Sequence, residues 1–405
     1  MTHRERMLAA MRGRATDRIP WAPRMDLWCV ARRARGTLPP RFEGLDIAQI
    51  ADELGVGCRA LAADYTRPGD RAGAALRGLG IRNHPDHCYR VEVRDLRVEH
   101  HDQGGTRQTT IHTPAGPVTM RHSSTQQMTV EGITIPFIEK YPIVSEQDFE
   151  PVARVFEHLE VIPTPAGYAA FDERIGPSGV AIASGPGSAS PMHLLLHELM
   201  HMEEFYVLYA EQRPAMEDLA HRMEPFFHAV LEAQLACDAQ VIFWGANYDQ
   251  DTTWPPFFRE HILPWLQPVS RRAHAAGKLV LTHTDGENRA LLADYPACGF
   301  DVAEAVCPRP MTSCTLAELR HGMGPNVTVW GGIPCVALLD QSMDAGAFEA
   351  CMDETFAELG TGERLILGVS DNVPPDANLD RLEQIKHRID AFGPVRPRPS
   401  AARDA

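Results

Sequence analysis

The sequence predicts an α/β fold, a (β/α)8 TIM-type barrel with an antiparallel β insertion in its N-terminal half. The second half of the chain repeats one pattern, in which a short apolar run ends in polar residues or glycine and a helix-like stretch follows. Continuous apolar runs of this kind are typical of strands buried on both faces of a parallel sheet. The repeating runs occupy residues 179–187, 240–249, 278–286, 300–308, 326–335 and 364–372.

Two earlier apolar runs, residues 18–26 and 57–65, raise the number of predicted strands to about eight, which favours a barrel over an open sheet. No GxGxxG motif follows the first predicted strand, which argues against a dinucleotide-binding fold. Residues 85–142 alternate between apolar and polar positions around glycine-containing turns, a pattern typical of antiparallel hairpins. We therefore predict one barrel domain over residues 1–395 that contains this insertion, followed by a disordered tail at 396–405.

Composition and charge exclude two classes of partner. The 405 residues include 39 Lys and Arg against 54 Asp and Glu, and the resulting net charge of −15 would repel nucleic acid or an anionic membrane surface. No run of about 18 apolar residues is present, and the N-terminus reads as a charged helix rather than a signal peptide. The nine cysteines lack CxxC spacing, which indicates reduced thiols and predicts a cytoplasmic protein.

Polar side chains collect at the ends of the predicted parallel strands, where a barrel has its catalytic rim. In chain order they are Asn247, Asp249, His283, Asp285, Glu304, Cys307, Cys335, Ser370 and Asp371. His283, Glu304 and Cys335 follow adjacent strands, so we expect them to converge. An imidazole, a carboxylate and a thiolate with an open fourth position form a catalytic zinc site. Asp285 is either a further ligand or an orienting partner of His283. A rim salt bridge at Glu304 and a buried, inert Cys335 are the structural alternatives.

Four stretches near the strand ends resemble the uroporphyrinogen decarboxylase superfamily, in particular its corrinoid-dependent methyltransferase branch. They are HTDG (283–286), AEAVCPRP (303–310), GGIPC (331–335) and GVSDNVPPDA (368–377). TPAG (113–116), residues 139–152 and residues 4–20 extend the resemblance over nearly the whole chain. The resemblance implies a barrel whose C-terminal mouth holds zinc, which activates a small methylated substrate. It also implies a partner protein that carries a corrinoid (cobalamin), whose Co(I) accepts the methyl group.

Two positions depart from the pattern of that branch. Many members have a His-x-Cys pair and a second cysteine on the last strand, whereas Asp285 and Ser370 stand in those places here. This departure resembles the aromatic O-demethylases, whose zinc site mixes His, carboxylate and Cys ligands. The resemblance thus implies zinc at His283, Glu304 and Cys335 and an aromatic methyl ether as the substrate. It leaves the oligomeric state open, a homodimer included.

Other side chains of the predicted mouth have expected roles around the metal. Asp285, Asp249 and Asp371 are the carboxylates expected to assist His283 in catalysis, by binding the substrate or orienting a ligand. The expected substrate-binding residues are Asn247, Trp244, Trp254 and Arg24. The tryptophans are included because an aromatic substrate would pack on an indole ring, although packing in the core is their commoner role.

Two other activities and a non-catalytic role are alternatives. Decarboxylases of the same superfamily bind an acidic tetrapyrrole through N-terminal arginines, and Arg24, Arg32 and Arg33 lie in the matching region. Residues 197–201 read HELMH, the HExxH pattern of zinc peptidases, but no third ligand follows at a suitable spacing. A barrel that only binds a ligand is the third alternative. Because HELMH follows a predicted strand closely, its histidines are also candidates to line the barrel mouth.

Overall fold

A computed structural model describes residues 1–62, 71–133 and 135–396, the side chains of 71 and 72 excepted. The predicted tail, apart from residue 396, and the end of the predicted strand at 57–65 lie outside this part of the chain. The strands are β1 Cys58–Leu61, β2 Tyr89–Val93, β3 Arg97–Gln103, β4 Thr106–Thr113, β5 Gly116–Ser123, β6 Phe137–Lys140, β7 Leu159–Pro163, β8 Gly179–Ile182, β9 Val241–Phe243, β10 Leu279–His283, β11 Val302–Val306, β12 Thr328–Ile333 and β13 Leu365–Val369.

Helices occupy most of the sequence between the parallel strands. They are α1 His3–Met11, α2 Asp26–Ala34, α3 Ile47–Leu54, α4 Arg71–Arg77, α5 Gln126–Val130, α6 Phe149–Glu157, α7 Pro165–Ile175, α8 Pro191–Leu194, α9 Met202–Glu211, α10 Arg213–Ala236, α11 Pro255–Phe257, α12 Leu263–Ala275, α13 Tyr295–Cys298, α14 Leu316–Gly322, α15 Ala345–Ala357 and α16 Leu379–Phe392. Within the described ranges, none of these helices is both long enough and apolar enough to cross a bilayer.

The parallel strands position the site. Strands β9 to β13 form one sheet in which each strand pairs with the next along the chain, and β1 pairs with β8. Single bridges extend this pairing, because Ala183 pairs with Ile242 in β9 and Trp21 pairs with Leu367 in β13. The Gly57 N–H donates to the Trp21 carbonyl oxygen at 2.7 Å, next to the start of β1. Every apolar run predicted as a strand contributes a parallel strand or bridge, and the α/β class is confirmed.

Alternate residues of the parallel strands face a common interior, as the pleat requires. Val180 and Ile182 of β8 belong to one buried cluster, whereas Ala181 between them belongs to the larger cluster that also includes helix residues. Helix α1 adds Met7 to the interior cluster. The Thr328 hydroxyl, at the start of β12, donates to a carbonyl of α1. Helix α1 therefore covers the N-terminal strand ends, and the polar residues gather at the opposite ends.

The predicted antiparallel insertion is present and extends further along the chain than expected. Strands β3 to β6 form a four-stranded antiparallel sheet inside the predicted range 85–142. Gly104 and Gly105 turn the chain between β3 and β4 with positive φ angles, which glycine adopts without steric cost. Strand β2 pairs with β7, which lies beyond the predicted boundary. The five residues of β7, LEVIP, are too short and too apolar to display period-two alternation.

Candidate active site

A row of three buried polar side chains crosses the interior of the parallel strands. Arg59 of β1 donates through Nε to the Oε1 atom of Glu304 in β11 at 2.6 Å. The other carboxylate oxygen of Glu304 lies 2.5 Å from Nδ1 of His283, the last residue of β10. All three side chains are at most 9% exposed. We call Arg59, Glu304 and His283 the buried row. A buried carboxylate is stable only when donors satisfy it, and both oxygens of Glu304 are satisfied here.

The free nitrogen of His283 faces two carboxylates at the rim. Its Nε2 atom lies 3.7 Å from Oδ2 of Asp285 and 3.7 Å from Oδ1 of Asp371. One ligand atom from each of the three residues lies within 4.8 Å of the others. We call His283, Asp285 and Asp371 the triad. Arg24 donates to Asp371 at 2.6 Å and to Asp26 at 3.0 Å, so part of the negative charge at the rim is neutralised.

The charges around His283 outweigh its burial. Burial alone would lower the pKa of His283, but the nearby carboxylates of Glu304, Asp285 and Asp371 raise it to about 9. Burial would likewise raise the pKa of Glu304, but the charges of Arg59 and His283 hold it well below its usual range. Glu304 is therefore ionised, and it holds the proton of His283 on Nδ1. This leaves Nε2 as the atom of His283 that is directed toward Asp285 and Asp371.

The geometry favours a different ligand set from the one predicted by the sequence. His283 and Glu304 do meet, but Glu304 contacts the far side of the imidazole and is also bonded to Arg59. Cys335 does not belong to the group of ligand atoms around His283 in the described part of the chain. Its thiol donates to the sulfur of Met311 at 3.2 Å, and burial raises its pKa. The geometry therefore places the Cys335 thiol beside Met311 and not in the group formed by His283, Asp285 and Asp371.

Of the predicted tryptophans, Trp244 lies in the core and Trp254 is partly buried and packs against it. Trp244 is fully buried, and its indole N–H donates to the carbonyl oxygen of Ala189 at 3.0 Å. Trp254 packs against the rings of Tyr206, Tyr209 and Phe257. Neither tryptophan lines the cavity at the triad. Because neither ring lines this cavity, the expected stacking on substrate is not supported.

The predicted residues at the end of β9 have two different roles. Asp249 accepts the backbone N–H groups of Asp251 and Glu287, so its carboxylate holds two loops together. The side chain of Asn247 contacts His197 at 2.9 Å, and its backbone N–H donates to the His283 carbonyl oxygen. Asn247 therefore lies beside His283 and lines the cavity at the triad, whereas the carboxylate of Asp249 accepts backbone N–H groups.

A cavity of about 330 Å³ opens at the triad, a volume at the lower end of the range for ligand sites. Its polar wall includes the triad, Arg24, Arg59, Asn247, His197 and Glu198. Its apolar wall includes Leu27, Leu61, Phe243, Ile135 and Ile138. The last two residues come from the antiparallel insertion, so the insertion forms part of the wall. A second cavity, of about 310 Å³, shares His197, Asn247 and Asp285 with the first.

The HELMH stretch does not form a peptidase helix. A π-helical turn at Leu195–Leu199 carries His197, and Met200 then adopts an extended conformation with φ −134° and ψ 153°. His201 is the N-terminal cap of the next helix, α9, is 54% exposed and lies 3.1 Å from Glu204. The HExxH arrangement needs both histidines on one face of a continuous helix. The break at Met200 removes that arrangement, while His197 and Glu198 still line the main cavity.

Arg59 is a residue of the site that the sequence did not predict. This arginine lies in the predicted strand at 57–65, where it is a charged residue between apolar neighbours near the start of the run. Its register partner in β8 is Val180, which faces the interior. A charge at an inward-facing strand position needs a buried partner of opposite sign. That signal could have identified Arg59, but not its partner Glu304, which lies 245 positions away.

Comparison with known proteins identifies the family. The family model for uroporphyrinogen decarboxylase (URO-D) matches residues 126–392, well over half of the chain. The chain therefore belongs to the uroporphyrinogen decarboxylase family, and the resemblance found in the sequence is confirmed at that level. Among solved structures, it is similar to a methyltransferase from Methanosarcina mazei. The TM-score is 0.58 and the identity 14%, over 97% of this chain and 99% of that chain. This likeness shows a shared fold. No curated protein matches the chain.

Proposed function

We propose that this chain is a zinc-dependent methyltransferase that transfers a methyl group from a small methylated substrate to the Co(I) corrinoid of a partner protein. An aromatic methyl ether is the proposed substrate. The triad carries the proposal, because it directs one imidazole nitrogen and two carboxylates at a cavity of substrate size. In this proposal the linked parallel strands are a closed (β/α)8 barrel, and the triad lies at its C-terminal rim, where such barrels hold their active sites.

The residues of the triad fit a divalent metal. Catalytic zinc sites use three protein ligands and keep a fourth position open, and mixed imidazole and carboxylate sets are known among them. Glu304 supplies the carboxylate that such a histidine needs on its other nitrogen, and Arg59 holds Glu304 in turn. A bound zinc ion would supply Lewis-acid stabilisation of the negative charge that develops on the leaving oxygen.

The remaining cavity residues bind the substrate and exclude water. Leu61 and Phe243 offer apolar surface to an aromatic ring. Ile135 and Ile138 of the insertion add apolar surface to the same cavity. Arg24 holds Asp371 in place through a hydrogen bond of 2.6 Å. A cytoplasmic location is part of the proposal and is supported by the nine cysteines, all of which are free.

Methyl transfer tests the proposal directly. Zinc-loaded protein is incubated with Co(I) cobalamin and a panel of methyl ethers, methylamines and thioethers, and the methylated corrinoid is followed by absorbance. We expect transfer from a methyl ether, and we expect His283→Ala to lose both the metal and the transfer. His274→Ala is the matched control, since His274 pairs with Asp301 away from the cavity. A wild-type protein that binds no zinc, and that instead releases carbon dioxide from an acidic tetrapyrrole, would favour the decarboxylase alternative.

A further inference from the structure

Six side chains form a closed ring beside the cavity, in which carboxylates alternate with arginines or an imidazole. We call this set the charge ring, and in order its members are His283, Glu304, Arg59, Asp26, Arg24 and Asp371. Asp26, the first residue of helix α2, joins the two halves of the ring. Its Oδ2 atom accepts a hydrogen bond from Nε of Arg24 at 3.0 Å and lies 3.9 Å from Nη1 of Arg59. One carboxylate oxygen therefore faces both arginines.

The backbone fixes this junction beside the loop that carries Asp371. The Val373 N–H donates to the carbonyl oxygen of Arg24 at 2.9 Å, and α2 begins two residues later at Asp26. The side chain of Asp26 is 17% exposed and that of Arg59 is 4% exposed. Charges that are shielded from water in this way interact more strongly than exposed charges and are screened less by salt. Asp26 therefore acts on both arginines of the ring.

Asp26 also completes the charge balance of the site. Four carboxylates and two guanidinium groups surround the imidazole of His283. They belong to Asp26, Asp285, Glu304, Asp371, Arg24 and Arg59. A histidine that binds a metal is neutral, so four negative charges against two positive charges leave a net charge of −2, which a divalent cation neutralises. Without Asp26 one of the four negative charges is lost, and the attraction for the cation is weaker.

We propose that Asp26 is a positioning residue of the metal site, which raises the affinity for a divalent cation by holding Arg24 and Arg59 in place. The first arginine bonds Asp371 directly, and the second bonds the carboxylate that orients His283. The inference rests on the proposed function, because it concerns the metal site of the same cavity. A purely structural role is the alternative, since an acid in the first turn of a helix is stabilised by the helix dipole.

Calorimetric zinc titration of the full chain tests the proposal. Asp26→Asn removes the charge with little change of shape, and we expect about tenfold weaker zinc binding, the lower end of the range for loss of a residue that orients a metal ligand. Asp26→Glu restores the charge and should bind zinc within about threefold of the wild type. Asp26→Ser also removes the charge and keeps a residue suited to a helix start, so it should show the same loss even if Asp26→Asn does not fold.

The control separates the charge ring from the stability of a helix. Asp380→Asn is matched, because Asp380 lies in the first turn of α16 and does not line the cavity. It loses the same interaction with a helix dipole and should retain the wild-type zinc affinity. Zinc affinity within about twofold of the wild type in both Asp26→Asn and Asp26→Ser overturns the inference. Equal losses in Asp26→Asn and Asp26→Glu also overturn it, because the charge of Asp26 then has no role.

Methyl transfer to Co(I) cobalamin is measured on the same protein samples, so the inference and the proposed function fail separately. Transfer by a protein whose zinc affinity does not depend on Asp26 overturns the inference alone. Zinc affinity that depends on Asp26, without transfer from any compound of the panel, overturns the proposed function and leaves Asp26 as a positioning residue of a metal site with a different reaction. A wild-type protein that binds no zinc overturns both.

Discussion

The carboxylates of the site differ in exposure. The buried row contains Glu304, which we call the floor of the site, and the triad contains Asp285 and Asp371, which lie at its rim. At the floor, Glu304 is 3% exposed and is held between His283 and Arg59. At the rim, Asp285 and Asp371 are 42% and 39% exposed. A buried carboxylate must be satisfied by protein donors, whereas a partly exposed one keeps lone pairs for water or a cation. The floor therefore orients the imidazole, and the rim supplies the proposed metal ligands.

This difference shows why residue type at a strand end is not enough to assign a ligand. Glu304 was expected to be a ligand because it follows the His283 strand along the chain, but it is the middle residue of β11, paired with His283. Its function depends on Arg59, which reaches it from a strand on the other side of the interior. Asp371 accepts hydrogen bonds from Arg24 on one oxygen and from Asn372 on the other, but its carboxylate is partly exposed at the rim. Burial, rather than the type of acid, separates the two roles.

The largest expected effect comes from the floor. Glu304→Ala should lower the free energy of unfolding by about 3–5 kcal/mol, because it removes the carboxylate bonded to the buried Arg59 and leaves only the longer contact with Asp26 at 3.9 Å. Urea denaturation followed by circular dichroism measures the loss. Glu304→Gln keeps the shape and one acceptor oxygen, so it should cost clearly less than Glu304→Ala. A loss below about 1 kcal/mol for Glu304→Ala is what an exposed carboxylate would give. That result would contradict the distinction between the buried Glu304 and the exposed carboxylates at the rim.

The rim should respond in binding rather than in stability. Asp371→Asn should weaken zinc binding by more than about 100-fold. Loss of a residue that only orients a metal ligand costs up to about 100-fold, and here a proposed ligand itself is changed. The free energy of unfolding should change by less than about 0.5 kcal/mol, since the side chain is partly exposed. Calorimetric zinc titration measures the affinity. Asp376→Asn is the matched control, because Asp376 lies on the same loop and pairs with Arg35.

The proton on His283 should make zinc affinity depend on pH, and the direction of that dependence follows from its pKa. The pKa of His283 in the metal-free protein is raised to about 9, so below that pH a metal must displace a proton from its imidazole. Apparent zinc affinity should therefore rise by up to about tenfold per pH unit between pH 6 and 8, and level off above the pKa. Titrations at several pH values measure the slope. An affinity independent of pH over this interval would show that His283 is not the ligand.

The sequence predicted the scaffold better than the chemistry of its side chains. Periodicity and strand-end position located the parallel strands, His283, Asp285 and Asp371, because these features depend on local sequence. The role of Glu304 depended on Arg59, 245 positions away, and strand periodicity does not specify such a partner. The HELMH helix was not formed, because the chain becomes extended at Met200, a change of backbone that the spacing of its histidines does not reveal.

The smallest expected effect is at Cys335, and it decides between the two ligand sets. Cys335→Ala should leave zinc affinity unchanged within about twofold, because its thiol contacts Met311 and is not one of the three ligand groups of the triad. The same calorimetric titration measures this variant beside Asp371→Asn. If Cys335→Ala loses zinc and Asp371→Asn retains it, the thiolate set predicted from the sequence is the correct one, and the rim carboxylates only surround it. The pair of variants thus tests whether exposure or residue type better identifies a ligand at this site.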